Sequence, residues 1–392
     1  MAFPFYILDT PAVSNVGFRF SGTTWTQFAP PLSHITTPNA YVRALAAVPA
    51  EPLLVYMIRG DVNALMSSTD GGASWTETTM PTLPRRLSES AMSLWAEAPG
   101  DVYLFNHRPE PGSVAGIWHT VNGGVTWAHI ISLPCPAFTT AGGYMCLGIN
   151  KLFYAELTSQ VMNPPASSEY DYLWSFKRAN LDGSGIETWA THTFSTIDNK
   201  DPLAILLRAV SDDFVLAAAN VRDSIVADDE PQGVLWKIDA TGITDVRPAA
   251  ILSPWDLMPL TATRWLAVGT TQTADDVLVY RTDNAGTSWS LMTTIPDMQG
   301  FATSGYQDEH FMLSAPRPSV PDEVVMMGYA SDTVQQNVWT SADGGATWTS
   351  MLNTADPFDG VNWAVTATGG LAAVCSPVVS IPIPSRLAAI VG

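Results

Sequence analysis

Cysteine is scarce. Only Cys135, Cys146 and Cys375 occur in 392 residues, too few for the disulfide framework that staples small secreted domains. Cys135 and Cys146 lie close in sequence, and either a local bridge or buried free thiols fits them. Histidine is scarce too, with six residues scattered along the chain, and none shares metal-ligand spacing with cysteine or carboxylates; neither a metal nor a cofactor is expected. Positive charge is the third shortage. Lys and Arg total 18 against 37 Asp and Glu, a formal charge of -19. Phosphate backbones and anionic lipid surfaces are repelled by such a field, which excludes nucleic acid as the main partner. Long apolar runs are absent, so no segment is expected to insert into a membrane as a helix. The N-terminal stretch Met1 to Asp9 has neither a basic region nor a long apolar one, so no secretory signal peptide is visible. A location outside the cell would then be reached as part of a virion or similar particle; the alternative is the cytoplasm.

What is present is a hydrophobic content of 46%, ample for a large core, and a repeat. Ser68-Thr69-Asp70-Gly71-Gly72-Ala73-Ser74-Trp75 returns as Ser341-Ala342-Asp343-Gly344-Gly345-Ala346-Thr347-Trp348. Two variants keep the frame, one around Asn122 and Trp127 and one around Asn284 and Trp289. The shared pattern is Ser/Thr-x-Asp/Asn-x-Gly-x-Ser/Thr-Trp. It reads as a tight turn between two strands, with Asp or Asn capping turn N–H groups and glycine supplying a positive φ. The tryptophan anchors the following strand in the core.

This pattern resembles the Asp box, or BNR repeat, of sialidases, sortilin-type receptors, xyloglucan hydrolases and photosystem-assembly propellers. The resemblance implies a structural role for Asp70, Trp75, Asn122, Trp127, Asn284, Trp289, Asp343 and Trp348, away from the binding face.

Degraded copies complete the series at Gly22 to Trp25, at Asn180 to Trp189, and at Asp239 to Asp245, where the tryptophan is lost. The anchors recur about every 54 residues, room for four short strands and their turns. Upstream of the boxes run paired apolar strands split by a polar or Gly/Pro break, as in Ala47 to Tyr56 and Ala96 to Phe105. Each unit thus reads as strands A, B, C and D, with the box at the C–D turn. The fold class is all-β: a single seven-bladed β-propeller over 1–392, with four antiparallel strands per blade. Blade 1 combines strands C and D from about residues 16–30 with strands A and B from 361–375, which closes the ring. An apolar, proline-containing tail follows at 376–392.

With the boxes on one face, binding is expected on the other, among the B–C and D–A loops. The longest B–C candidates run from Ser159 to Tyr172 and from Asp223 to Gly233. Tyr170 and Tyr172, beside Glu169 and Asp171, have the chemistry to stack on and hydrogen-bond a sugar. Arg43, with Arg208 and Arg264, lies on or near A strands. That position suits the arginine cluster of a sialidase-like hydrolase, but the Phe-Arg-Ile-Pro signature of that family is missing, and its six blades differ from the seven counted here. The reading is therefore a non-enzymatic recognition or assembly propeller with no catalytic residues. It binds a glycan or protein receptor, or neighbouring subunits of an assembly. A protein-assembly scaffold is the first alternative and a sialidase-like or other glycoside hydrolase the second.

Overall fold

The computed structural model describes residues 5–9, 16–20, 25–28, 42–48, 51–59, 64–80, 92–106, 115–133, 145–162, 170–195, 201–222, 233–271, 276–295, 312–314, 322–330 and 335–350. The chain divides into two compact units, one holding Met1–Cys135 and the other Pro136–Leu352. All regular elements among the described residues are strands.

In the first unit, β1 (Phe5–Asp9), β2 (Val16–Phe20) and β3 (Trp25–Phe28) form a three-stranded sheet. A four-stranded sheet follows, made of β4 (Val42–Val48), β5 (Glu51–Arg59), β6 (Ala64–Ser68) and β7 (Thr76–Thr79). The next contains β8 (Met92–Ala98), β9 (Asp101–Asn106), β10 (Gly116–Thr120) and β11 (Ala128–Ser132).

The second unit holds four four-stranded sheets. The first is β12 (Met145–Leu147), β13 (Lys151–Met162), β14 (Tyr170–Asn180) and β15 (Glu187–Ser195). The second is β16 (Asp201–Ser211), β17 (Phe214–Arg222), β18 (Gly233–Asp239) and β19 (Gly242–Asp245). The third is β20 (Ser253–Pro259), β21 (Trp265–Thr270), β22 (Val277–Thr282) and β23 (Ser290–Ile295). The fourth is β24 (Met312–Ser314), β25 (Val324–Ala330), β26 (Gln335–Ser341) and β27 (Thr349–Ser350). Every sheet is an antiparallel meander in chain order.

The core lies between neighbouring sheets. Along β21 every residue is buried, because alternate side chains enter two different cores. Trp265 and Ala267 pack with Val210, Leu216 and Leu235 on one side, while Leu266 and Val268 pack with Val324, Met326 and Trp339 on the other. A strand covered on both faces needs no polar alternation, which is why the second strand of a unit reads as a continuous apolar run. In the first unit, Leu54, Tyr56, Ile58 and Leu65 meet Leu94, Ala96, Val102 and Leu104 in the same manner. Burial fades toward the last strand: β7 and β23 are largely exposed. Within the second unit the first strands approach one another in series, β12 to β16, β16 to β20 and β20 to β24.

Two expectations change. The N-terminus supplies three strands rather than two, because Phe5–Asp9 pairs in register with Val16–Phe20. The loop expected from Ser159 to Tyr172 is in part strand, because β13 and β14 stay paired as far as Met162 and Tyr170; its residues 163–169 lie outside the described residues. Residues 361–375, expected to complete the first sheet, and the tail 376–392 lie outside the described residues.

Candidate functional site

The four full repeats all sit where the third strand turns into the fourth. In the first, the Ser68 hydroxyl donates to Asp70 Oδ1 at 2.8 Å and accepts the Gly72 N–H at 2.7 Å. Asp70 in turn accepts the Ser74 N–H at 2.8 Å and the Ser74 hydroxyl at 2.5 Å. Those hydrogen bonds, the hydroxyl of Ser74 foremost, hold the Asp70 carboxyl at about 2 instead of the ordinary 3.8. Asp343 repeats the set with Ser341 and Thr347. In the Asn copies the last bond reverses: Asn122 Nδ2 donates to Thr126 Oγ1 and Asn284 Nδ2 to Ser288 Oγ, each at 2.8 Å. A hydroxyl both donates and accepts, so the Ser/Thr position closes the turn around either residue.

The residue after each Asp or Asn reaches outside the repeat. Gly71 N–H donates to Leu53 O, Gly123 N–H to Gly100 O and Gly344 N–H to Asp322 O at 2.9 Å, and Ala285 N–H donates to Thr263 O at 2.8 Å. Each acceptor lies at or beside the turn between the first and second strands of the same sheet. These two turns therefore share one edge of each sheet, and the ends of the second and fourth strands lie at the other. The side chains of the repeats are engaged within their own turns, and each backbone N–H after the Asp or Asn ties that turn to a neighbouring turn of the same sheet.

On the opposite edge the β13–β14 hairpin is distinctive. Its strands run 12 and 11 residues, against 6 and 5 in β9 and β10. A register shift between Leu157 and Ser159 carries the pairing onward to the end. Tyr172 is only 8% exposed and stands opposite Phe194 in the register; it is packed, not presented. Asp171, next along the strand, is half-buried and by alternation belongs to the other face. Glu169 lies outside the described residues. Tyr170 and Arg43 are placed by backbone only, in β14 and β4.

The hairpin also carries polar residues that the sequence did not single out. Glu156, 2% exposed, pairs with Lys177 Nζ, and the Thr158 and Ser175 hydroxyls hydrogen-bond at 2.7 Å. Burial, with the Glu156 charge added, pushes the Tyr154 hydroxyl well above its usual range. The period-2 pattern places Tyr154, Glu156 and Thr158 on one face of β13. Across from Trp236, on β14 and β15, lie Phe176, His192 and Phe194. Burial lowers the His192 pKa and favours its neutral form.

No protein-family model matches the chain, and no curated protein does. Solved structures do. The β-propeller domain of the trilobed protease from Pyrococcus furiosus superposes with a TM-score of 0.50 at 9% identity, over 88% of this chain and 88% of that one. The fold is a β-propeller. The GH74 xyloglucanase from Xanthomonas campestris gives a TM-score of 0.51 at 14% identity, over 80% of this chain and 45% of that one. Oligogalacturonate lyase from Vibrio parahaemolyticus gives 0.51 at 8% identity, over 92% of this chain and 87% of that one. The chain thus spans less than half of the xyloglucanase and most of the other two. At such identities the likeness carries the fold and no activity.

In this propeller two of the three arginines weighed for a carboxylate-binding cluster, Arg208 and Arg264, are engaged in ion pairs. Arg208, on β16, is buried against Asp256 on β20. Arg264 sits at the turn edge, with Nε donating to Asp283 at 2.9 Å and Nη1 to Asp322 at 2.6 Å. Arg208 and Arg264 therefore do not form a common anion site. Cys146, on the propeller strand β12, is a free, buried thiol, and burial pushes its pKa far up, leaving it protonated and unreactive. Among the described residues, no group of three or more His, Cys, Asp or Glu side chains is placed to hold a metal ion.

Proposed function

We propose that the chain is one seven-bladed propeller of the Asp-box type whose work is recognition rather than catalysis. It binds a glycan or a protein receptor with the loop edge opposite the boxes. The β13–β14 hairpin carries this reading. It is a long antiparallel arm of 12 and 11 residues, paired across one bulge as far as Met162 and Tyr170, and binding segments gain precision when a scaffold holds them. Its end brings Glu169, Tyr170 and Asp171 together in sequence, an aromatic ring with two carboxylates, which suits the apolar face and the hydroxyl groups of a sugar. The glycan is therefore the ligand put first.

Ring closure stays an expectation of this proposal, with residues 361–375 completing the N-terminal sheet, of which β1, β2 and β3 are described. A net charge of -19 keeps the particle or the free protein away from polyanions and leaves neutral or basic partners.

A glycan-array screen of the labelled chain tests the reading, with bound sugars checked for cleavage. Binding to one glycan class without turnover is expected. Turnover of a fluorogenic glycoside, abolished by changing one carboxylate, would replace recognition with hydrolysis.

A further inference from the structure

The turn around Asn122 contains a reactive sequence that the fold restrains. Asn122-Gly123 is the chain's single Asn-Gly dipeptide. Glycine lacks the β-carbon that otherwise shields its amide nitrogen from the preceding side chain. In the folded turn, however, every participating group is engaged. Asn122 Oδ1 accepts the Thr126 N–H at 2.9 Å and the Thr120 hydroxyl at 2.9 Å, and Nδ2 donates to Thr126 Oγ1 at 2.8 Å. The Gly123 N–H, which must act as the nucleophile, donates to Gly100 O at 2.9 Å on the neighbouring turn.

We propose that Asn122 is a folding-gated deamidation site, held unreactive in the native turn and released when that turn opens. On release, the Gly123 amide nitrogen loses its proton and attacks Asn122 Cγ. The Cγ–Nδ2 bond breaks and Nδ2 leaves as ammonia, closing a succinimide ring. Water then opens the ring at either carbonyl, giving aspartate or isoaspartate. The two products differ in consequence. Aspartate restores the residue found at Asp70 and Asp343, whose turns close with the same partners. Isoaspartate routes the main chain through the side chain, so the hydrogen bonds that span residues 120 to 126 can no longer all form.

Peptide mapping by mass spectrometry, at mildly alkaline pH with and without unfolding urea, tests this directly. In the folded chain, conversion at Asn122 is expected to be at least about tenfold slower than in the unfolded chain, the factor that about 1.4 kcal/mol of turn opening produces. Equal rates would overturn the proposal. Asn284 is the internal control, since it holds the same turn position but precedes Ala285. It is expected to keep its amide in urea while Asn122 loses it. Loss at both sites at one rate would remove the role of Gly123 and overturn the proposal as well.

Discussion

Arg208 and Asp256 meet through two parallel hydrogen bonds, Nε to Oδ1 at 3.1 Å and Nη2 to Oδ2 at 2.5 Å, with the two side chains 6% and 0% exposed. The Leu257 N–H adds a third bond to Asp256 Oδ1 at 2.7 Å. The pair ties the first strand of one sheet to the first strand of the next. Its net worth is modest because two charges leave water to form it. Breaking it by half is a different matter. Asp256→Ala removes the carboxylate from a buried guanidinium and is expected to cost about 3–5 kcal/mol, read as a lower urea midpoint. Replacing both partners, R208M with D256L, is expected to recover most of that loss.

The first and second residues after the Asp or Asn of the repeat differ in what they demand. Gly123 has φ +67 with nothing within 4 Å of an added Cβ, whereas Gly124 has φ +90 and its Cβ would stand 2.9 Å from Leu65. At Gly344, also in the first position, an added Cβ would stand 3.1 Å from Asp322 Oδ1, whereas Gly123 needs only its backbone conformation. Ala285 meets that need at φ 54, the one non-glycine with positive φ among the described residues. Ala285→Gly is expected to stabilise by about 1 kcal/mol, while Gly124→Ala is expected to cost more than Gly123→Ala because a clash is added to strain. Thermal unfolding of the three variants gives the order.

The Asp copies of the turn make stability sensitive to acid. Asp70 titrates at about 2 when folded, below its ordinary 3.8, and Asp343 is lowered as well: burial raises it, but the bonds from Thr347 and Ser341 outweigh that. A depressed folded pKa contributes stability above the unfolded value, and the contribution is lost as pH falls through the folded value. The unfolding midpoint is therefore expected to drop as pH goes from about 4 to about 2. Because Asn122 and Asn284 close the same turn, the double variant D70N/D343N is expected to fold at neutral pH and to show a shallower acid slope. An unchanged slope would show that other carboxylates, such as Asp239 at about 2, dominate.

The repeat was legible because its hydrogen bonds join residues two and four apart: the chemistry of Ser68, Asp70 and Ser74 is written within one short segment. The strands flanking it were legible for the same local reason. What escaped were contacts between distant segments. Arg208 lies 48 residues from Asp256, and nothing in either neighbourhood signals the other, so Arg208 read as a candidate ligand group when it is a buried structural one. The hairpin was misjudged because Thr158-Ser159-Gln160 looks like the start of a loop. A bulge at that point keeps the two strands paired, which moves Tyr172 from the loop into a packed position. Phe5–Asp9 falls outside the four-strand repeat pattern, in which the N-terminus supplies only strands C and D, yet Val16–Phe20 offers it a complete pairing edge.

In the proposed function the end of the β13–β14 hairpin reads a glycan. The glycan array decides it, run with the native chain beside a variant in which residues 163–169 are replaced by a tight Asn-Gly turn. The expected result is binding to one glycan class by the native chain, no cleavage, and loss of that binding in the variant with its unfolding midpoint unchanged. A blank array, or binding that survives removal of the hairpin end, would rule out glycan recognition by this hairpin.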